Sequence, residues 1–104
     1  MASANIIELD GANFDATTAS GTALVDFWAP WCGPCRALGP VIEQIAAEVG
    51  DKAKICKVNV DSVVDVAARF GIQSIPTVLI FKNGEIVKKF VGLQSKSVLL
   101  DALS

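Results

Sequence analysis

Histidine is absent from this chain, and so is tyrosine. Without histidine there is no imidazole base, no Cys–His nucleophile pair and no zinc site that needs a histidine ligand. Cysteine is scarce too: three residues, Cys32, Cys35 and Cys56, are too few and too unevenly spaced for a fold held together by disulfides. No stretch approaches the ~20 apolar residues of a membrane-spanning helix. The most apolar run, Ala23 to Trp31, is interrupted by Asp26 and Pro30. Basic charge is also lacking: the net charge is −2, and Lys88-Lys89 is too short to make a patch, so neither nucleic acid nor membrane is expected as a partner. The opening Met1-Ala2-Ser3-Ala4-Asn5 has no basic segment followed by an apolar one, so no secretory signal is expected.

What remains is a chain of 104 residues, 52% hydrophobic, the length of one compact domain spanning 1–104. Its apolar periodicity alternates between two and three-to-four residues. Asn5 to Leu9 reads as a strand and Phe14 to Ala19 as a weak helix. Ala23 to Ala29 is nearly all apolar, as in a strand covered on both faces. Cys32 to Val49 has helical spacing in Leu38, Val41, Ile42, Ile45, Ala46 and Val49, with Gly50 as its C-cap and Pro40 expected to kink it. Lys54 to Val60 is the next strand. Asp61 or Ser62 is expected to cap a helix carrying Val63, Val66, Ala67 and Phe70, closed by Gly71.

Thr77 to Phe81 and Ile86 to Val91 read as strands joined by a tight turn at Asn83-Gly84, and Ser95 to Leu103 as a last helix. The order β-α-β-α-β-α-β-β-α predicts an α/β fold: a central mixed five-stranded sheet flanked by four helices on both faces. Strand order does not follow from this pattern.

The chemistry is concentrated in Trp31-Cys32-Gly33-Pro34-Cys35. Cysteines at i and i+3 lie on one helix face, within reach of a small disulfide ring. Cys32 stands where the strand gives way to the helix, where unpaired backbone N–H groups and the helix dipole favour a thiolate. Pro34 fits the first turn, where its missing N–H costs nothing. Cys35, one turn further in, is expected to be less exposed and less acidic. Cys32 is therefore the candidate attacking sulfur and Cys35 the candidate resolving thiol. Two alternatives stand beside this one. Half of a zinc site lacks its other half, since only Cys56 remains; two ordinary buried cysteines would have no reason to sit at a helix start.

Trp28-Ala29-Pro30-Trp31-Cys32-Gly33-Pro34-Cys35 resembles the active-site signature of the thioredoxin family. Val25-Asp26-Phe27, Lys57-Val58-Asn59-Val60-Asp61 and Ile75-Pro76-Thr77 extend the resemblance in the same order over nearly the whole chain, with Gly84 and Gly92 also in place. The resemblance implies a thioredoxin fold and a protein-disulfide reductase that serves in electron transport and redox homeostasis of the cytoplasm. It implies disulfide-containing protein substrates and a thioredoxin reductase as partners, no bound cofactor or metal, and a monomer. It also implies a cis Ile75–Pro76 bond facing the cysteines, and an apolar substrate-binding rim of Trp31, Gly33, Pro34, Ile75, Pro76, Val91, Gly92 and Leu93.

Asp26 interrupts an apolar strand on the face shared by Leu24 and Trp28, and a buried carboxylate without partners is strongly disfavoured. It reads either as a strand-end group facing water, or as a buried carboxyl with a raised pKa that can take a proton from Cys35. The family assigns the matching Asp the second role, with the matching lysine, Lys57, as its neighbour. Gly33-Pro34 is similar to the reducing members, without the histidine found in many oxidising ones. A thiol oxidase on the same fold and a binding module with incidental thiols are the rival readings. Cys56, beside Val58 and opposite to Lys57 on its strand, reads as a small buried hydrophobe. Trp28, Phe27 and Pro40 read as structural.

Overall fold

A computed structural model describes residues 5–104; the expectation of no signal at Met1 to Ala4 lies outside the described residues. The elements follow in the order β1 (Ile6–Glu8), α1 (Phe14–Thr18), β2 (Thr22–Trp28), α2 (Gly33–Val49), β3 (Lys54–Asn59), α3 (Val64–Arg69), β4 (Thr77–Lys82), β5 (Glu85–Val91) and α4 (Lys96–Leu103), with a single 3₁₀ turn at Gly50–Lys52. Each lies within a residue or two of the segment expected from periodicity. The sheet order is β1-β3-β2-β4-β5. β3 is parallel to both β1 and β2, whereas β4 is antiparallel to β2 and to β5. β2 is thus the central strand, which accounts for its uninterrupted burial from Ala23 to Phe27.

Side chains alternate across β2 and sort into two cores. Leu24 faces a layer built with Leu38, Ile42, Ile45 and Ala46 of α2 and Leu99 of α4. Val25 and Phe27 face the opposite layer, with Phe14 of α1, Val66 of α3, Cys56 and Phe81. Helices therefore cover both faces, as expected.

Pro40 lies inside α2 on its exposed side without ending the helix. A proline in a helix interior costs about 3 kcal/mol. Burial of Leu38, Ile42 and Ile45, each 0% exposed, contributes about 1.5–3 kcal/mol apiece, so packing outweighs the lost hydrogen bond. At the hairpin, Asn83 and Gly84 both have positive φ (52° and 86°), the conformation that a two-residue turn between twisted strands requires.

One expectation fails at α3. Neither Asp61 nor Ser62 caps it: the N-cap position is Val63, with no side-chain cap bond. The Asp61 carboxylate is instead engaged at the start of α2, described next.

Candidate active site

β2 ends at Trp28, and the chain turns through Ala29-Pro30-Trp31 into α2, with Cys32 as the N-cap in extended conformation. The Cys35 N–H donates to Cys32 Sγ at 3.2 Å, so the sulfur occupies the place a Ser or Asp oxygen takes at other helix starts. Cys32 and Cys35 are joined in a disulfide, with Cα atoms 5.2 Å apart. Cys32 Sγ also lies 3.7 Å from the Ile75 carbonyl oxygen.

The expected difference in exposure is not found in this oxidised state: both cysteines are 4% exposed. The ring closes Cys32 onto its own helix, so its sulfur is shielded as much as its partner's. The difference between them lies in hydrogen bonding, because only Cys32 Sγ receives a backbone N–H. Its chain neighbours Trp31, Gly33 and Pro34 are all exposed, Trp31 at 68%.

Ile75–Pro76 is cis, as the resemblance implied, and Ile75 packs against the cysteine pair. The Gly92 N–H donates to the Pro76 carbonyl at 2.8 Å, and Val91 is the register partner of Thr77. These contacts bring the segment from Val91 to Leu93 to the Pro76 end of the sheet. Val91 and Leu93 are both more than half exposed. Pro76 departs from the expected rim, because it is buried, whereas Ile75 before it is half-buried.

Two residues were missed by the sequence reading. Val60, just past β3, packs against the cluster of Ala29, Cys32 and Cys35, and its N–H donates to the Trp28 carbonyl. Asp61 Oδ2 accepts the Trp31 indole N–H at 2.9 Å. A carboxylate next to the β3 end within a matched block was the available signal; its usual role as a helix cap obscured the tertiary one.

Asp26 is 0% exposed, and neither carboxyl oxygen has a hydrogen-bond partner. Burial pushes its pKa up to about 7, with the Lys57 charge pulling the other way. The water-facing alternative is thereby removed. Lys57 is its register partner on β3, half-buried, with Nζ 4.6 Å from the centre of the Trp28 ring. Trp28 in turn packs against the cysteine pair. Cys56 is 0% exposed on the far side of the sheet, and burial pushes its thiol up to about 12. A groove of about 710 Å³ lies away from these thiols between Phe14, Arg69 and Ile86.

The sequence profile of the thioredoxin family matches residues 5–104. A thioredoxin from Bacillus subtilis (strain 168) is 43% identical over 99 residues, 95% of each chain. One from Staphylococcus haemolyticus is 47% identical over 98 residues, 94% of each. Among solved structures, a mutant thioredoxin from Halobacterium salinarum NRC-1 superposes with a TM-score of 0.87 at 35% identity, covering 99% of this chain and 92% of that one. Malassezia sympodialis thioredoxin (Mala s 13) gives 0.86 at 37%, covering 94% and 87%.

Proposed function

Because the chain belongs to the thioredoxin family, and so exchanges a dithiol for a disulfide with other proteins through Cys32 and Cys35, we propose how its residues divide that work. Cys32, as thiolate, attacks one sulfur of a substrate disulfide. A Cys32–substrate disulfide forms and the other substrate sulfur leaves as a thiolate. Asp26 takes the proton from Cys35, whose thiolate attacks Cys32 Sγ. The Cys32–Cys35 bond closes, and the second substrate sulfur departs and is protonated. Two electrons have passed to the substrate, and the chain is left in the disulfide form described above.

The observation that carries this assignment is the Cys35 N–H pointing at Cys32 Sγ from the first turn of α2. A backbone donor at a helix N-terminus stabilises negative charge on that sulfur and on no other. Lys57 is the cation that attends Asp26. Trp31, Gly33, Pro34, Ile75, Val91, Gly92 and Leu93 form the docking surface, and Pro76 shapes it from beneath. An extended substrate segment held by main-chain bonds beside Ile75 suits a protein that accepts many sequences.

The chain works as a single domain over 1–104 and as a monomer in the cytoplasm, as an electron carrier recharged by a thioredoxin reductase. No helix among the described residues is long and apolar enough to cross a membrane.

Alkylation of the reduced protein across pH, read by peptide mass, tests the assignment. Cys32 is expected to react at a pH below that of free cysteine, and well before Cys35. Cys32→Ser is expected to abolish turbidity-monitored reduction of a protein disulfide, while Cys35→Ser accumulates the mixed disulfide. Equal reactivity of the two thiols, or activity retained in Cys32→Ser, would overturn it.

A further inference from the structure

Lys57 and Asp26 face each other in register, the carboxyl is buried, and its two oxygens are unpartnered. The ordinary outcome of such a juxtaposition is an ion pair, which lowers the cost of both charges. The Lys57 ammonium instead rests on the face of Trp28, where the ring's negative quadrupole attracts it. Trp28 lies two residues beyond Asp26 on the same face of β2, and it packs against the cysteine cluster.

We propose that Trp28 is a positioning residue: its indole face holds the Lys57 ammonium beside Asp26 but off its carboxyl oxygens, keeping Asp26 free to accept and release a proton. This rests on the reading of Asp26 as proton acceptor, and it explains why a lysine so close leaves the carboxyl unbound. A fully formed ion pair would hold the carboxylate ionised and unable to carry a proton at neutral pH.

Among the described residues, no other charged group faces Asp26 from the strands beside it. From β3 the side chain opposite Asp26 is Lys57, and from β4 it is Val78. The buried residues of α2 are Cys35, Leu38, Ile42, Ile45 and Ala46, and Cys35 carries no titrating proton while it is held in the disulfide. The buried residue of α4 is Leu99. Burial raises the pKa of the carboxyl and the Lys57 charge lowers it.

The test is the titration of Asp26, followed by carboxyl carbon NMR, in Trp28→Leu and Trp28→Phe, each with Lys57 and with Lys57→Met. With the ring gone, the ammonium closes on the carboxylate, and the Asp26 midpoint is expected to fall by about one pH unit, the lower end of what an adjacent opposite charge produces. Trp28→Phe keeps a ring face and is expected to restore most of the wild-type midpoint.

In the Lys57→Met background, Trp28→Leu is expected to change nothing further. A fall that persists without Lys57 would mean that water entry is the cause, and would overturn the proposal, as would an unmoved midpoint in Trp28→Leu. Should that variant not fold, the wild-type Lys57 side-chain protons decide. Upfield ring-current shifts of the ε-methylene support the proposal, and their absence removes it. A moved Asp26 midpoint with an unmoved pH profile for turnover would leave the positioning in place and remove Asp26 from the reaction, so the two readings fail separately.

Discussion

Asp26 and Lys57 are paired in register across the parallel strands β2 and β3, yet the carboxyl remains without a hydrogen bond in a fully buried position. A carboxyl with a folded-state pKa of about 7, against about 3.9 in the unfolded chain, holds its proton more tightly when folded. Its favourable contribution is complete below about pH 3.9 and is lost as pH rises through about 7, leaving the folded state short by about 4 kcal/mol at alkaline pH. Asp26→Ala is therefore expected to gain stability relative to the native chain as pH rises from 4 to 8, while reducing protein disulfides more slowly. The cavity left by the substitution costs the same at both pH values and cancels from the comparison. Urea unfolding at the two pH values measures this, and parallel stability curves would refute the buried-carboxyl account.

Cys56 is shut in by the core of the opposite face, with Val25, Val58 and Leu79, and its thiol is pushed up to about 12. In the oxidised protein, thiol reagents are expected to label Cys56 only as fast as the chain opens, so labelling should accelerate with urea. Cys56→Ser buries a hydroxyl with no partner at hand and is expected to cost about 1–3 kcal/mol, more than Cys56→Ala. Rapid labelling under native conditions would instead mark it as an accessible, regulatory thiol.

These two residues show what a sequence discloses and what it withholds. Cys56 and Asp26 both lie in strands, whose side chains alternate between faces with period two, so the neighbours at i±2 show which core each enters. The same local logic located the strands and helices of the described residues and the cysteine pair. Contacts between segments distant in the chain obey no such period. That Lys57 rests on Trp28, that Val60 packs beside the cysteines, and that Asp61 reaches back 30 residues to Trp31 are consequences of β2 and β3 being neighbours. Strand order was not derivable from the pattern. The equal exposure of Cys32 and Cys35 likewise depends on the closed ring, a redox state that no sequence encodes.

The Asn83-Gly84 turn offers a test of local conformation alone. A Cβ on Gly84 would meet the Ala19 carbonyl oxygen at 3.6 Å, ordinary contact, so Gly84→Ala suffers no clash. Its cost is the φ of 86°, which an L-residue adopts with a penalty of roughly 1–2 kcal/mol. Thermal unfolding is expected some 4–8 °C lower per kcal/mol lost, with reductase activity unchanged at 25 °C, since the turn is at the sheet end remote from Thr77 and the cysteines. An unchanged melting temperature would mean the turn relaxes into another type.

Asp61 separates docking from thiol chemistry. Its carboxylate accepts the indole N–H of Trp31, an exposed ring directly before Cys32. The bond is solvent-exposed, so it contributes little to folding, but it fixes the direction in which a large apolar surface faces an incoming protein. Asp61→Ala is expected to leave stability within about 1 kcal/mol of the native value. It is expected to lower kcat/KM for a protein disulfide about two- to tenfold, equivalent to about 0.4–1.4 kcal/mol of transition-state binding. A small aromatic disulfide has no extended surface to lay on Trp31, and its reduction is expected to proceed unchanged. Equal loss with both substrates would show that Asp61 acts on the Cys32 sulfur rather than on docking, and no loss with either would show that Trp31 needs no anchor.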